Sequence, residues 1–491
     1  MIKKYNLEIT VFICSFAIMM LELVASRILS PYVGSSNIVW TSIIGIILLS
    51  SSIGNYIGGI LSDKYKDKKI LSLLILSAGI YILAIPIFSD SLLYAITSIS
   101  SIKIAAILST FLVFFIPSLI LGTVSPYTVK LRVNDLNSTG KTTGILYSIS
   151  TFGSIIGTFV AGFILIPLIG SRQNLIVIGL LLIFLSLFLH IPDKKDTSKI
   201  IITTILIMLI LLFSMGNILA TNGIVDIDTE YSRVFIVEDI DTDKNSKIRS
   251  LIVGKGQESA MFVDNPYELV SKYTQYYDLM NCYKIEIKDT LLIGGAGYVY
   301  PTYFLNKYKD RHIDVIEIDS KMTELAIKYF NLNDTNKKLG IYHEDGRTYL
   351  NQNSKKYDIV LNDAFKGLTA PFNLATIEAV EKIYNSLNDE GVYITNIISA
   401  IDGNDSKMIK AQANTIRQVF PYVDIYACAG SDDKIIKQNF IVVASKIDYK
   451  NITDVDENLT ELLNKKINID INEDIIVLTD NFAPIEYYTD M

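Results

Sequence analysis

The first 220 residues carry seven apolar runs, at 7–28, 38–61, 70–88, 104–122, 144–166, 174–191 and 200–219. Each approaches or exceeds the roughly 20 residues that an α-helix needs to cross the hydrocarbon of a bilayer. Backbone N–H and C=O groups in lipid must be satisfied within the segment, so runs of this kind can only be helices. Residues 1–222 are therefore expected to form a multi-pass bundle of about seven transmembrane helices in a lipid bilayer. An eighth apolar run, 91–99, is too short to span by itself. No A-x-A cleavage site follows the first run, which reads as a retained helix and not as a signal peptide.

Charge divides the chain at the same place. Residues 1–220 hold 15 Lys/Arg and 8 Asp/Glu, and the remainder hold 29 and 43. Lys3 and Lys4 precede the first run. Lys64, Lys66, Lys68 and Lys69 follow the second, Lys130, Arg132 and Lys141 the fourth, and Lys194, Lys195 and Lys199 the sixth. The alternate loops carry only Arg27, Lys103 and Arg172. By the positive-inside rule the N-terminus is cytoplasmic in the cell membrane. Seven spans would then leave the C-terminal half outside the cytoplasm, and an eighth near Ser91 would reverse that.

The acidic second half argues against nucleic acid as its partner, because phosphate binding needs a basic face. Cys14, Cys282 and Cys428 are far apart and make no CxxC pattern. His190, His312 and His343 form no ligand cluster, so no metal is expected.

Past residue 222 the pattern changes twice. YSRVFIVEDI and KIRSLIVGKGQESAMF alternate as strands around a turn at 241–246, which predicts a small β-hairpin layer over 223–285. From Thr290 strands and helices alternate: LLIGG, IDVIEID, LGIYHED, YDIVLND and GVYITNII are the strands. This predicts a doubly wound, Rossmann-like α/β domain over 286–491. VDIYAC and NFIVVAS, with no helix between them, predict a late antiparallel pair.

Ligands of such sheets sit at the C-terminal strand ends, where the strand order switches. The first strand ends in Gly294, Gly295 and Gly297, small residues that let a ligand approach the backbone. The second ends at Glu317, twenty residues past Gly297, where a carboxylate can take both hydroxyls of a ribose. Asp345-Gly346 follows the third strand, with Asp345 placed to accept from an adenine amino group or to serve as a helix N-cap. Asp363 ends the fourth and could equally cap a turn. GGAGYVYP matches neither GxxxxGK[ST] nor G-x-G-x-x-G. A nucleoside without pyrophosphate, such as an S-adenosyl compound, fits better than a dinucleotide.

YSRVFIV, the strand with Gln257, LLIGGAGY, VIEID, EDGRTYL, YDIVLNDAF and LTDNFAPIEYY, in this order, resemble the spermidine synthases, the polyamine aminopropyltransferase family. LELVASRILSPYVGSSNIVWTS and GILYSISTFGSIIGTFVAGFILIP look like the membrane half of its membrane-fused members. The resemblance implies transfer of an aminopropyl group from decarboxylated S-adenosylmethionine to a polyamine such as putrescine, releasing methylthioadenosine. That sulfonium nucleoside is a co-substrate, and no further cofactor is implied. Glu317 would hold the ribose and Asp345 the adenine, with Gly294, Gly295, Gly297, Gly346 and Gln257 around the donor. Asp363 would orient the attacking amine and take its proton. Members are commonly oligomers. Two positions depart from the soluble enzymes: Gly297 stands where they carry an acid, and Lys366 stands at the second acid of their D-x-x-D. A methyltransferase, and a polyamine transporter or sensor with an inactive soluble half, remain competing readings.

Overall fold

The computed structural model describes residues 5–99, 101–133, 138–190, 225–241, 244–283, 286–365, 370–430, 433–449, 457–471 and 474–489. The chain divides into two compact units, residues 1–234 and 235–491.

The first unit is built from helices α1 (Asn6–Val33), α2 (Asn37–Lys64), α3 (Lys68–Ile99), α4 (Ile102–Gly122), α5 (Val124–Arg132), α6 (Thr139–Val160), α7 (Ile166–Ile169) and α8 (Ser171–His190). Six helical stretches among the described residues are long and apolar enough to cross a membrane. Large apolar side chains such as Leu48, Ile87 and Phe163 point outward from them, as a lipid-facing surface requires and an aqueous one would penalise. The 91–99 run is not an eighth span: it is the last part of α3, which runs unbroken past Pro86. The 200–219 run lies outside the described residues.

Glycines set the helix contacts. A Cβ on Gly153 or Gly157 of α6 would lie 3.1 or 2.9 Å from the Cα of Phe12 or Phe16 of α1. Only glycine allows backbones this close. Gly54 and Gly58 of α2 meet Leu119 and Thr123 in the same way. Strand β1 (Val225–Asp228) completes this unit, and a tight turn joined by Thr229 and Ser232 leads into β2 (Arg233–Asp241).

In the second unit β3 (Ser246–Val253) and β4 (Gly256–Phe262) pair antiparallel. An eight-stranded sheet follows, in the order β12-β10-β11-β9-β8-β5-β6-β7. Its strands are β5 (Asp289–Ile293), β6 (His312–Ile316), β7 (Leu339–Tyr342), β8 (Tyr357–Asn362), β9 (Leu387–Ser399), β10 (Tyr422–Ala427), β11 (Gln438–Ser445) and β12 (Lys466–Ile467). β5 to β9 are parallel, and β10 and β11 close that side antiparallel, as the two unseparated strand patterns predict. Helices α9 (Val299–Lys307), α10 (Ser320–Tyr329), α11 (Gly346–Gln352), α12 (Ile377–Ser386) and α13 (Lys407–Arg417) connect and cover it. Every residue of β8 is buried, which is why its sequence is nearly continuous in apolar residues and does not alternate. The chain runs from β5 outward to β7 and returns to β8 on the other side of β5, so the strand order switches between β5 and β8.

Candidate active site

The switch point gathers the acids. Gly294 has φ +99°, and a Cβ there would sit 2.5 Å from the carbonyl oxygen of Asp363. The ends of β5 and β8 thus touch, and glycine is required on both counts. Ala296 (φ 43°) and Tyr298 (φ 53°) are non-glycine residues in the left-handed region, a costly conformation that persists only where neighbours hold it. The buried Tyr298 hydroxyl shares a hydrogen bond of 2.8 Å with Thr323 of α10, and Thr323 in turn meets His343 at 3.0 Å.

Glu317 holds the rest of the turn. Its Oε2 accepts from the N–H groups of Gly295 (2.9 Å) and Ala296 (2.8 Å), and its Oε1 from that of Asp319 (2.9 Å). Burial pushes its carboxyl above the ordinary value, and these three N–H groups pull the other way. The N–H groups that could cradle a phosphate are therefore already taken by an anion.

Asp345 is the N-cap of α11, accepting from Thr348 N–H at 2.9 Å, while its other oxygen takes a 3.3 Å bond from Asn373. Gly346 packs on β5, where a Cβ would come 2.7 Å from Ile293 Cγ2. The plain capping reading of Asp345 thus holds, and the capped carboxylate stands at the end of β7, on the same edge as Glu317.

Asp363 is half-buried, and burial lifts its carboxyl to about 6. Asn396 donates to Oδ1 at 3.0 Å, and the Tyr273 hydroxyl donates to Oδ2 at 3.1 Å. The Tyr277 hydroxyl approaches the same carboxylate without reaching hydrogen-bond geometry. Its ring packs edge-on against Tyr273 and Tyr300, with centroids 6.0 and 5.0 Å away. Burial raises both tyrosines well above the ordinary phenol value, so they remain O–H donors. Aromatic faces beside a carboxylate suit an organic cation.

Gly297 is closed off from the site that its resemblance implies. Its N–H donates to Ser259 Oγ of β4 at 2.9 Å, and a Cβ there would lie 2.7 Å from Ser259 Cβ. A serine on the facing strand fills the space an acidic side chain would need. Gln257, two residues earlier, is exposed, and among the described residues no hydrogen bond joins its side chain to the other candidates. Lys366 lies outside the described residues.

Residues 256–432 match the family model for the spermine/spermidine synthase domain. This segment is similar to the spermine/spermidine synthase family. The matched segment of this family domain includes β4, the glycine turn, Glu317, Asp345, Asp363 and Asn396. Two curated relatives are similar to it. A probable polyamine aminopropyl transferase of Bifidobacterium longum is 32% identical over 132 residues, which is 27% of this chain and 29% of that protein. The polyamine aminopropyltransferase of Vibrio vulnificus is 30% identical over 133 residues, 26% of this chain and 42% of its own. The match thus spans less than half the length of either relative. A probable spermidine synthase of Corynebacterium glutamicum, solved by crystallography, aligns with 53% of this chain and 97% of its own, at 17% identity and a TM-score of 0.45.

Sequence reasoning located the acids at the strand ends and missed their partners. Ser259, Tyr273, Tyr277 and Asn396 lie on elements that only the fold brings to that edge. Asn396 had left a signal: Thr395-Asn396 is a buried polar pair in an otherwise largely apolar strand end.

Proposed function

We propose that the chain is a membrane-anchored transferase that moves the aminopropyl group of decarboxylated S-adenosylmethionine to an amine such as putrescine, releasing methylthioadenosine. The observation that carries this reading is Asp363: a carboxylate titrating near 6, held by Asn396 and Tyr273, against the glycine turn. An amine is protonated at neutral pH and must lose its proton before it can attack. A carboxylate ionised at pH 7 can hold the ammonium ion and then accept the proton. The amine nitrogen forms a bond to the carbon beside the sulfonium, the C–S electron pair returns to sulfur, and the proton leaves to Asp363. That electron pair neutralises the sulfonium, positioning lowers the barrier, and no covalent intermediate is called for.

The donor end supports the same reading. Glu317 occupies the N–H groups of the turn, so a pyrophosphate would meet a carboxylate there, whereas ribose hydroxyls would find an acceptor. Asp345, at the next strand end, is the acceptor for the adenine amino group.

The test is direct. The protein, purified in detergent, is incubated with decarboxylated S-adenosylmethionine and a panel of amines, and methylthioadenosine is followed by mass spectrometry. Appearance of methylthioadenosine with amine dependence, lost in Asp363→Asn, is expected. S-adenosylhomocysteine from S-adenosylmethionine, with no methylthioadenosine from the decarboxylated donor, would replace this reading by methyl transfer.

A further inference from the structure

The helix directions in the first unit follow from its contacts. α1 and α6 run parallel, since Phe12 meets Gly153 and Phe16 meets Gly157. α2 and α4 run parallel through the Gly54–Leu119 and Gly58–Thr123 contacts. α3 and α8 run antiparallel, since Ser72 bonds Ser186 while Gly79 meets Gly179. The six long helices therefore alternate in direction, and the unit has two distinct ends.

One end is basic. Lys130 pairs with Asp63 at 2.5 Å, Arg132 with Glu8 at 2.9 Å, and the Tyr127 hydroxyl donates to the Asp67 carbonyl at 3.1 Å. These bonds bring the α2–α3 loop, the end of α5 and the first turn of α1 together. Lys64, Lys66, Lys68 and Lys69 are all exposed there. The carboxylates of Asp63 and Glu8 are taken by Lys130 and Arg132, so the four lysines face only Asp67 in that loop and outnumber it.

The other end holds the last residues of the unit. The Arg27 side chain, near the end of α1, donates to the Glu230 carbonyl. Asp228 accepts from the N–H and hydroxyl of Ser171, at 2.7 and 2.6 Å, at the start of α8. Arg233 makes two bonds to Asp226, at 2.9 and 2.6 Å, and Arg172 pairs with Asp90. Arg172 and Arg233 are thus matched by acids, and Arg27 by a backbone carbonyl.

The chain thus leaves α8 at the lysine end and is bound at 225–233 to the opposite end. The sequence between includes the apolar run 200–219, whose twenty residues meet the length that one crossing needs. An excess of loop lysines is retained on the cytoplasmic side. We infer that residues 225–233 lie on the extracytoplasmic face, and that the family domain which follows works outside the cytoplasm. Its sulfonium donor and amine must then be delivered across the membrane by a transport step. The substrates rest on the function proposed above; the orientation does not.

Two single-cysteine chains test it, Tyr231→Cys and Lys66→Cys, each with Cys14, Cys282 and Cys428 replaced by serine. Both positions are exposed. An impermeant maleimide on intact cells should label Tyr231→Cys at least tenfold more than Lys66→Cys, with the two equal after detergent. The reverse pattern, or equal labelling before detergent, overturns the inference. A short epitope inserted after Glu230 or after Lys66 in the otherwise native chain gives the same readout if the cysteine-free protein fails to fold. Correct labelling without methylthioadenosine release from externally supplied substrates would refute the activity and leave the orientation standing.

Discussion

Replacing Asp363 with asparagine should stabilise the protein at the pH where it abolishes turnover. Burial lifts this carboxyl from the ordinary 3.8 to about 6. Two pH units at about 1.4 kcal/mol each make the ionised carboxylate cost the fold up to ~3 kcal/mol. The sign follows from proton binding. Between pH 3.8 and about 6 the folded chain keeps a proton that the unfolded chain has released. Stability therefore falls as pH rises through that window, with the full cost present above about 6 and none below 3.8. Asparagine never ionises. It retains the shape and can accept from Asn396, but it meets the Tyr273 hydroxyl with an amide, a loss of about 1 kcal/mol. The net gain at pH 8 should be about 1–2 kcal/mol, or roughly 2–6 °C in Tm for a unit of this size. At pH 4 the variant should be no more stable than the wild type. Near-UV circular dichroism of the full chain in detergent reports on this, because the sole tryptophan, Trp40, lies in α2 and the tyrosines dominate the second unit. Turnover in the same samples should drop at least about a hundredfold, the scale of general-base loss. A variant less stable at pH 8, or a difference equal at pH 4 and pH 8, would refute a strained, buried carboxylate at this position.

Tyr273→Phe removes one donor to the ionised form of Asp363, so the acid limb of kcat/KM against pH should move up by about one unit; an unmoved or lowered limb contradicts the role given to the hydroxyl. Glu317→Gln places an amide where two or three N–H groups need an acceptor, and calorimetry with methylthioadenosine should show affinity at least about tenfold weaker; unchanged affinity would separate the turn from the donor site. Gly297→Asp should not improve donor binding but cost about 1–3 kcal/mol of stability through the contact with Ser259, with Ser259→Gly in the same chain recovering most of it. A Gly297→Asp protein as stable as the parent would show that the turn has room to spare.

The sheet and its glycine turn were legible because they are local: short apolar runs ending in small or acidic residues recur at the spacing of βαβ units. So were the acids at the strand ends, since a strand's C-terminal edge can be read from its own pattern. Tyr273 was not, because it lies ninety residues before Asp363 on a segment with no regular period, and Asn396 reaches the same carboxylate only through the β8–β9 register. The 91–99 run was rightly read as too short to span, but its continuity with the third helix was not legible for a related reason. Pro86 and the polar Ser89-Asp90 look like a break in sequence, whereas a continuous helix can carry that aspartate as an ion pair with Arg172.

The sequence by itself determined that one part of the chain is built of bilayer-length helices and the other of alternating strands and helices, because hydrophobic length and period follow from backbone geometry alone. It also determined which carboxylates end the strands. Tertiary structure decided what those carboxylates do. Glu317 is committed to the turn's N–H groups, Asp345 caps α11, and Asp363 is left half-buried among tyrosines with its proton affinity raised. It also decided which end of the helical unit holds the start of the strands, since that rests on ion pairs and on a side-chain hydrogen bond between residues 203 positions apart. Burial and partner geometry are properties of packing, and no local pattern encodes them.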